Sequence, residues 1–160
     1  MDRRRLSIVA ALTIPLVLVA AYGILTQTTT VGSANVHYSG FAVNGRTFPL
    51  TYLATNQSER EKGLMNTKIT SATTELFVFP TADYYPFWMF DVNSSLDIIW
   101  INATGNTGRV VYLVQNVPGC TVSFLCANYQ PTAKANFVLE AEGGFAEANS
   151  ISTGTVITFI

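Results

Sequence analysis

The alternation of apolar and polar positions divides the chain into three parts. Residues 6–25 carry no charged side chain and follow the cationic start Met1-Asp2-Arg3-Arg4-Arg5. As a helix, a stretch of that length spans about 30 Å of hydrocarbon, which predicts a transmembrane signal-anchor, with Pro15 tolerated inside it. Arginines on its N-terminal side predict a cytoplasmic N-terminus and an extracytoplasmic remainder. Two other fates compete. A signal peptide could be cut near Gly32-Ser33-Ala34, although signal-peptide apolar regions usually run only about 7–15 residues. A pilin-type leader would want a small residue directly after Arg5, where Leu6 stands. Residues 26–35, TQTTTVGSAN, are uncharged and threonine-rich and predict a tether, so the folded domain should occupy residues 36–160.

Within that domain, Asn44-Gly45 separates β-type runs at 36–43 and 47–54, and both residues accept the positive φ of a two-residue hairpin turn. Ser58-Glu59-Arg60-Glu61 has the form of a capping box and Gly63 that of a stop, predicting one short helix. Apolar runs recur at 75–79, 87–90, 96–101, 109–115, 136–142 and 155–160, and NATGNTG at 102–108 reads as an exposed hairpin loop. This spacing predicts a mainly β (α+β) domain, a small barrel-like or sandwich structure with one or two short helices. The run Leu96-Asp97-Ile98-Ile99-Trp100-Ile101 does not alternate, so both of its faces should be covered.

Composition narrows the classes. The chain of 160 residues has a formal net charge of −1 and is 49% hydrophobic, which suits one domain plus an attachment and gives nucleic acid no basic surface. Setting aside Arg3, Arg4, Arg5 and Asp2 reduces nine basic and ten acidic residues to six and nine, so the external part is mildly acidic. Cys120 and Cys126, placed outside the membrane by the anchor, predict a disulfide rather than a zinc pair, whose usual spacing and further ligands are missing. Asn56, Asn93 and Asn102 each open a glycosylation triplet and fall between the predicted elements.

The chemistry concentrates in YYPFWMFDVNSSLDIIWI, residues 84–101. Asp97 at the entrance of a strand covered on both faces needs partners, and the planar fork of Arg60 on the short helix is the candidate cation. Glu140, inside the apolar run Phe137-Val138-Leu139, poses the same problem. Trp88 and Met89 could form the apolar wall of a cleft beside these groups, or could simply fill a core, and Met65 should pack behind the helix. The candidate pocket is therefore Arg60, Met65, Trp88, Met89, Asp97 and Glu140. His37 stands alone and no Gly-x-Ser-x-Gly elbow exists, which argues against a Ser/His/Asp hydrolase. Cu(I) held by His37, Met65, Met89 and reduced Cys120 and Cys126 would require the disulfide to be absent, and no close pairing concentrates those ligands, so no metal and no cofactor are expected.

In order along the chain, Glu59-Arg60-Glu61-Lys62-Gly63-Leu64-Met65, Leu76-Phe77-Val78-Phe79-Pro80, Phe87-Trp88-Met89, Leu96-Asp97-Ile98-Ile99, Pro118 with Cys120, Cys126 with Tyr129, Phe137-Val138-Leu139-Glu140, Gly144-Phe145 and Gly154 together resemble the prokaryotic domain-of-unknown-function family 192 (DUF192). The resemblance runs from residue 50 to 160 and implies a small, mostly β, barrel-like domain, commonly exported or anchored, with no established activity. Against that family's pattern, Phe90-Asp91-Val92 replaces Lys-Asn-Thr, Thr67 stands where an arginine is usual, and Gly154-Thr155 replaces glycine-aspartate.

Taken together, these features predict a single-pass membrane protein whose outer domain is a binding or structural module of the cell envelope. Its expected partners are the membrane through residues 6–25 and an envelope protein, a second copy, or a small-molecule or carbohydrate ligand. Two alternatives remain. One is an enzyme acting on a carbohydrate or small envelope metabolite through Asp97 and Glu140, and the other is an envelope or filament subunit assembling through its apolar N-terminal helix.

Overall fold

The computed structural model describes residues 37–160, and the anchor and tether expected before them lie outside the described residues. Among the described residues, no helix is long and apolar enough to cross a membrane.

The hairpin forms where expected. β1 (Gly40–Val43) and β2 (Arg46–Pro49) are joined by Asn44 and Gly45 at φ 49° and 75°, the paired positive values of a tight turn. The second run then breaks at Leu50-Thr51, and β3 (Tyr52–Ala54) leaves β1 to lie parallel to β4 (Thr74–Asp83). β5 (Leu96–Thr104), β6 (Thr107–Val117), β7 (Ala135–Glu142) and β8 (Val156–Phe159) complete one eight-stranded sheet, ordered β2-β1-β8-β6-β5-β7-β4-β3.

Its two edge strands are consecutive in the chain, so the sheet must coil until its edges approach. The backbone records this at one point: the Leu50 N–H bonds to the Ser39 carbonyl at 2.9 Å, while the Thr51 N–H bonds to that of Thr74 at 3.2 Å. Adjacent residues thus bond to opposite ends of the strand order, and the expected mainly β architecture is observed as one eight-stranded sheet with two short helices.

Two departures from the sequence reading are local. NATGNTG is not a loop of its full length, because β5 and β6 run to within two residues of each other at Gly105-Asn106. Asn102 consequently lies inside a strand, facing water opposite Arg109, rather than between elements, while Asn56 and Asn93 stay outside the strands. The exposed face of a strand tolerates the same polar residues a loop does. The run 87–90 forms no sheet strand either; isolated bridges pair Phe87 with Tyr129 and Phe90 with Cys120.

Buried apolar side chains cover both faces of the central strands. Phe41, Leu76, Ile99, Ile101, Leu139 and Phe159 pack on one face, and Leu64, Phe77, Phe87, Met89, Ile98, Trp100 and Val138 on the other. The non-alternating run at 96–101 is explained by this double covering. The second face is closed by α1 (Gln57–Lys62) and by the strip around 87–92, with the Trp100 indole N–H donating to the Tyr85 carbonyl at 2.9 Å.

Candidate functional site

The short helix begins two residues earlier than the Ser58 box predicts. Asn56 is its N-cap: the Glu59 N–H donates to the Asn56 Oδ1 at 3.0 Å, and the Asn56 N–H returns a bond to the Glu59 carboxylate at 3.1 Å. Asn-Gln-Ser-Glu satisfies the same reciprocal rule as Ser-Glu-Arg-Glu, and asparagine caps as well as serine does. Backbone N–H bonds from Thr55 and Asn56 to the exposed Glu59 carboxyl hold it below its ordinary range. Gly63 ends the helix at φ 48°, ψ −140°, with its N–H on the Glu59 carbonyl.

Register decides which of the expected site residues meet. In the β5–β7 ladder Asp97 faces Ala141 and Ile98 faces Glu140. Cross-strand partners point to the same side and sequence neighbours to opposite sides, so Asp97 and Glu140 project from opposite faces of the sheet. The pairing of Arg60 with Asp97 is likewise not formed. Asp97 is fully buried and accepts three backbone N–H bonds, from Asn116 at 2.8 Å, Gly144 at 3.1 Å and Ala146 at 2.7 Å. It ties β6 to α2 (Phe145–Ala148) and its flanking loop, and a ring of amides replaces the expected cation. The Arg60 guanidinium donates instead to the Thr55 and Val78 carbonyls at 2.7 and 3.0 Å and lies 5.0 Å from the Phe79 ring centre.

The partner of Glu140 is a residue the sequence reading passed over. Glu75 on β4 stands directly opposite Glu140 on β7, which places their Cβ atoms about 5 Å apart on one face. Both are 4% exposed, and the Glu75 Oε2 is buried without a hydrogen-bond partner. Burial pushes the Glu75 carboxyl up to about 7, with Lys62 pulling it down and Glu59 adding to the rise. Burial holds Glu140 well above the usual carboxyl range, and the neighbouring Glu75 raises it further. Glu75 shares its face with Phe77, and a lone acid alternating with aromatics in β4 was the available signal.

Gly63 lines both of the hollows that the two acids border. A well of about 30 Å³ on one side is lined by Glu140, Arg60, Gly63, Met65, Trp88 and Phe90 among others, and a hollow of about 130 Å³ on the other by Glu75, Glu59, Lys62, Thr67 and Tyr52. A groove of about 300 Å³, lined by Gln57, Phe79, Tyr85 and Pro86, shares Arg60, Glu61, Phe87 and Trp88 with the well. Of the expected pocket, Arg60, Met65, Trp88 and Glu140 therefore meet at one cleft. Met89 is 1% exposed and belongs to the core beneath it, and Asp97 lies on the far face.

The cleft can receive one group of about water size at Glu140 and a larger body against the rings of the groove. Trp88 is 42% exposed, with Phe90 5.3 Å away, centre to centre. The two-carboxylate geometry considered for Asp97 and Glu140 does not exist, because one of the pair is sealed and turned away. Cys120 and Cys126 form the expected disulfide, which removes both sulfurs from the soft-metal set; His37 is exposed at the edge of the described chain. No group of three His, Cys, Asp or Glu suited to a metal occurs among the described residues.

Comparison with known proteins agrees with this architecture. A structure from Sinorhizobium meliloti 1021, provisionally assigned as a transcription regulator, superimposes with a TM-score of 0.63 and 24% identity, covering 78% of this chain and 96% of that one. A protein of unknown function from Novosphingobium aromaticivorans DSM 12444 gives a TM-score of 0.62 at 24% identity, over 74% of this chain and 82% of its own. At that identity the likeness concerns the fold alone. No similar sequence was found among curated proteins. The family model DUF192, described as "Uncharacterized ACR", matches residues 41–159, and the chain belongs to this family.

Proposed function

We propose that the domain is a small-molecule binding module, held at the outer face of a membrane by residues 6–25, and that its ligand is neutral and hydroxyl-rich, of the sugar or polyol class. The observation that carries this reading is Glu140, buried at the lining of a narrow well and facing a second buried acid, Glu75, whose Oε2 lacks any protein partner and which lines the neighbouring hollow. Burial favours the protonated form of the Glu140 carboxyl, which both donates and accepts and so matches a ligand hydroxyl. An anion would meet Glu140 at the floor, and a strong cation would meet Arg60 and Lys62 at the rim. The exposed indole of Trp88 offers a flat apolar surface for the body of a ring. The uncharged stretch at 6–25 and a disulfide in the outer domain support the membrane-held, extracytoplasmic placement.

The test is a thermal-shift screen of monosaccharides and polyols against the wild type, Glu140→Leu, which removes both donor and acceptor, and Trp88→Ala. Binding to the folded state raises the melting temperature with ligand concentration. At least one member should stabilise the wild type and lose that effect in both variants. A panel with no stabilising member, or one that acts equally on all three proteins, would contradict the reading.

A further inference from the structure

Neither the core nor the cleft accounts for the apolar tip formed by the short 3₁₀ turn Ser123–Leu125. Phe124 is 85% exposed and Leu125 71%, against at most 52% for any other exposed large hydrophobic residue among those described, and Val122 beside them is 40% exposed. The tip is not loose chain. The Cys120–Cys126 disulfide closes its base, the Leu125 N–H bonds to the Val122 carbonyl at 2.8 Å, and the Cys126 N–H to that of Ser123 at 3.3 Å. The loop is also fixed to the strip carrying Trp88: the Asp91 N–H donates to the Cys120 carbonyl at 2.7 Å, and Phe87 and Tyr129 exchange bonds at 3.0 and 2.7 Å. Residues 110–133, which include the tip, contain no charged side chain.

We propose that this stapled tip is a shallow membrane-contact element, with Phe124 and Leu125 entering the boundary between lipid head groups and acyl chains. Three independent features converge on a lipid surface. Large apolar side chains, one of them aromatic, are the types that gain from the interfacial region. The absence of charge across residues 110–133 removes the main cost of leaving water. The turn satisfies amides of its own backbone, as a segment entering a poorly hydrogen-bonding medium must. The inference rests on the proposed anchoring by residues 6–25. The chain between residues 25 and 37 reaches at most about 40 Å when extended, so an anchored domain stays within reach of its own bilayer.

The full-length chain, reconstituted in phosphatidylcholine vesicles, provides the test. Trp88→Phe with Phe124→Trp places a fluorophore at the tip, while Trp100, fully buried, remains as a reference. Replacing the lipid by one brominated in the acyl chain should lower the emission from position 124 at least about twofold, as expected for a side chain at the acyl boundary. Val156→Trp in the same background, at a half-exposed position on β8, should be unaffected. No quenching at position 124 in vesicle-bound protein would overturn the tip proposal, as would equal quenching at position 156. Protection from aqueous iodide without quenching by brominated lipid would overturn it in favour of a protein contact. Protein that fails to float with the vesicles would refute the anchor, and the tip proposal with it.

Discussion

Glu75 and Asp97 are both buried acids, yet their surroundings give them opposite roles. Asp97 is surrounded by donors. Asp97→Ala would orphan the amides of Asn116, Gly144 and Ala146, and an unfolding titration should show a loss of about 3–5 kcal/mol without change in the ligand affinity of the folded fraction. Glu75 lacks such donors, and burial moves its pKa from 4.5 to about 7. A carboxyl whose folded-state value is raised binds more protons when folded, so it favours folding in acid and loses that contribution as pH rises through about 7. Urea unfolding should therefore show a fall in stability between pH 4.5 and pH 8, on the order of 3 kcal/mol from this residue. Glu140, raised by burial and by the neighbouring Glu75, contributes a fall of the same sign. Glu75→Gln should flatten the profile; an unchanged slope would show that Glu75 ionises freely in the folded protein.

At the scale of the element, the turn that ends α1 shapes the cleft. Gly63 has φ 48° with ψ −140°, and a Cβ there would stand 3.3 Å from the Phe77 ring. Gly63→Ala should cost about 1–3 kcal/mol in denaturant unfolding through backbone strain and should weaken ligand binding by crowding the lining it gives to the well at Glu140. Gly119 serves another purpose, since an added Cβ would overlap the Val92 carbonyl and push away the loop that begins at Cys120.

The hairpin turn at Asn44-Gly45, the helix stop at Gly63 and the double covering of 96–101 were legible because each is written in a few consecutive residues. The facing of Glu75 and Glu140 was not, because it depends on the register between strands distant in sequence. A one-residue shift in such a ladder reverses which side chains share a face. The same dependence misdirected Arg60 toward Asp97, since local reading identifies a buried acid in need of partners but not that three remote backbone amides supply them.

For the whole molecule, the link Leu50-Thr51 joins the two terminal strands of one sheet, and the second face of that sheet is built up by α1 and the strip at 87–92 into the cleft. The central claim is that the floor of this cleft, at Glu140, receives a small neutral ligand. It is tested most directly by NMR titration of residues 36–160 with the sugar and polyol panel, following backbone amide shifts. The account predicts perturbations clustered at residues 60–65, 87–90 and 140, absent in Glu140→Leu. Perturbations clustered elsewhere on the surface, or none for any member of the panel, would contradict it.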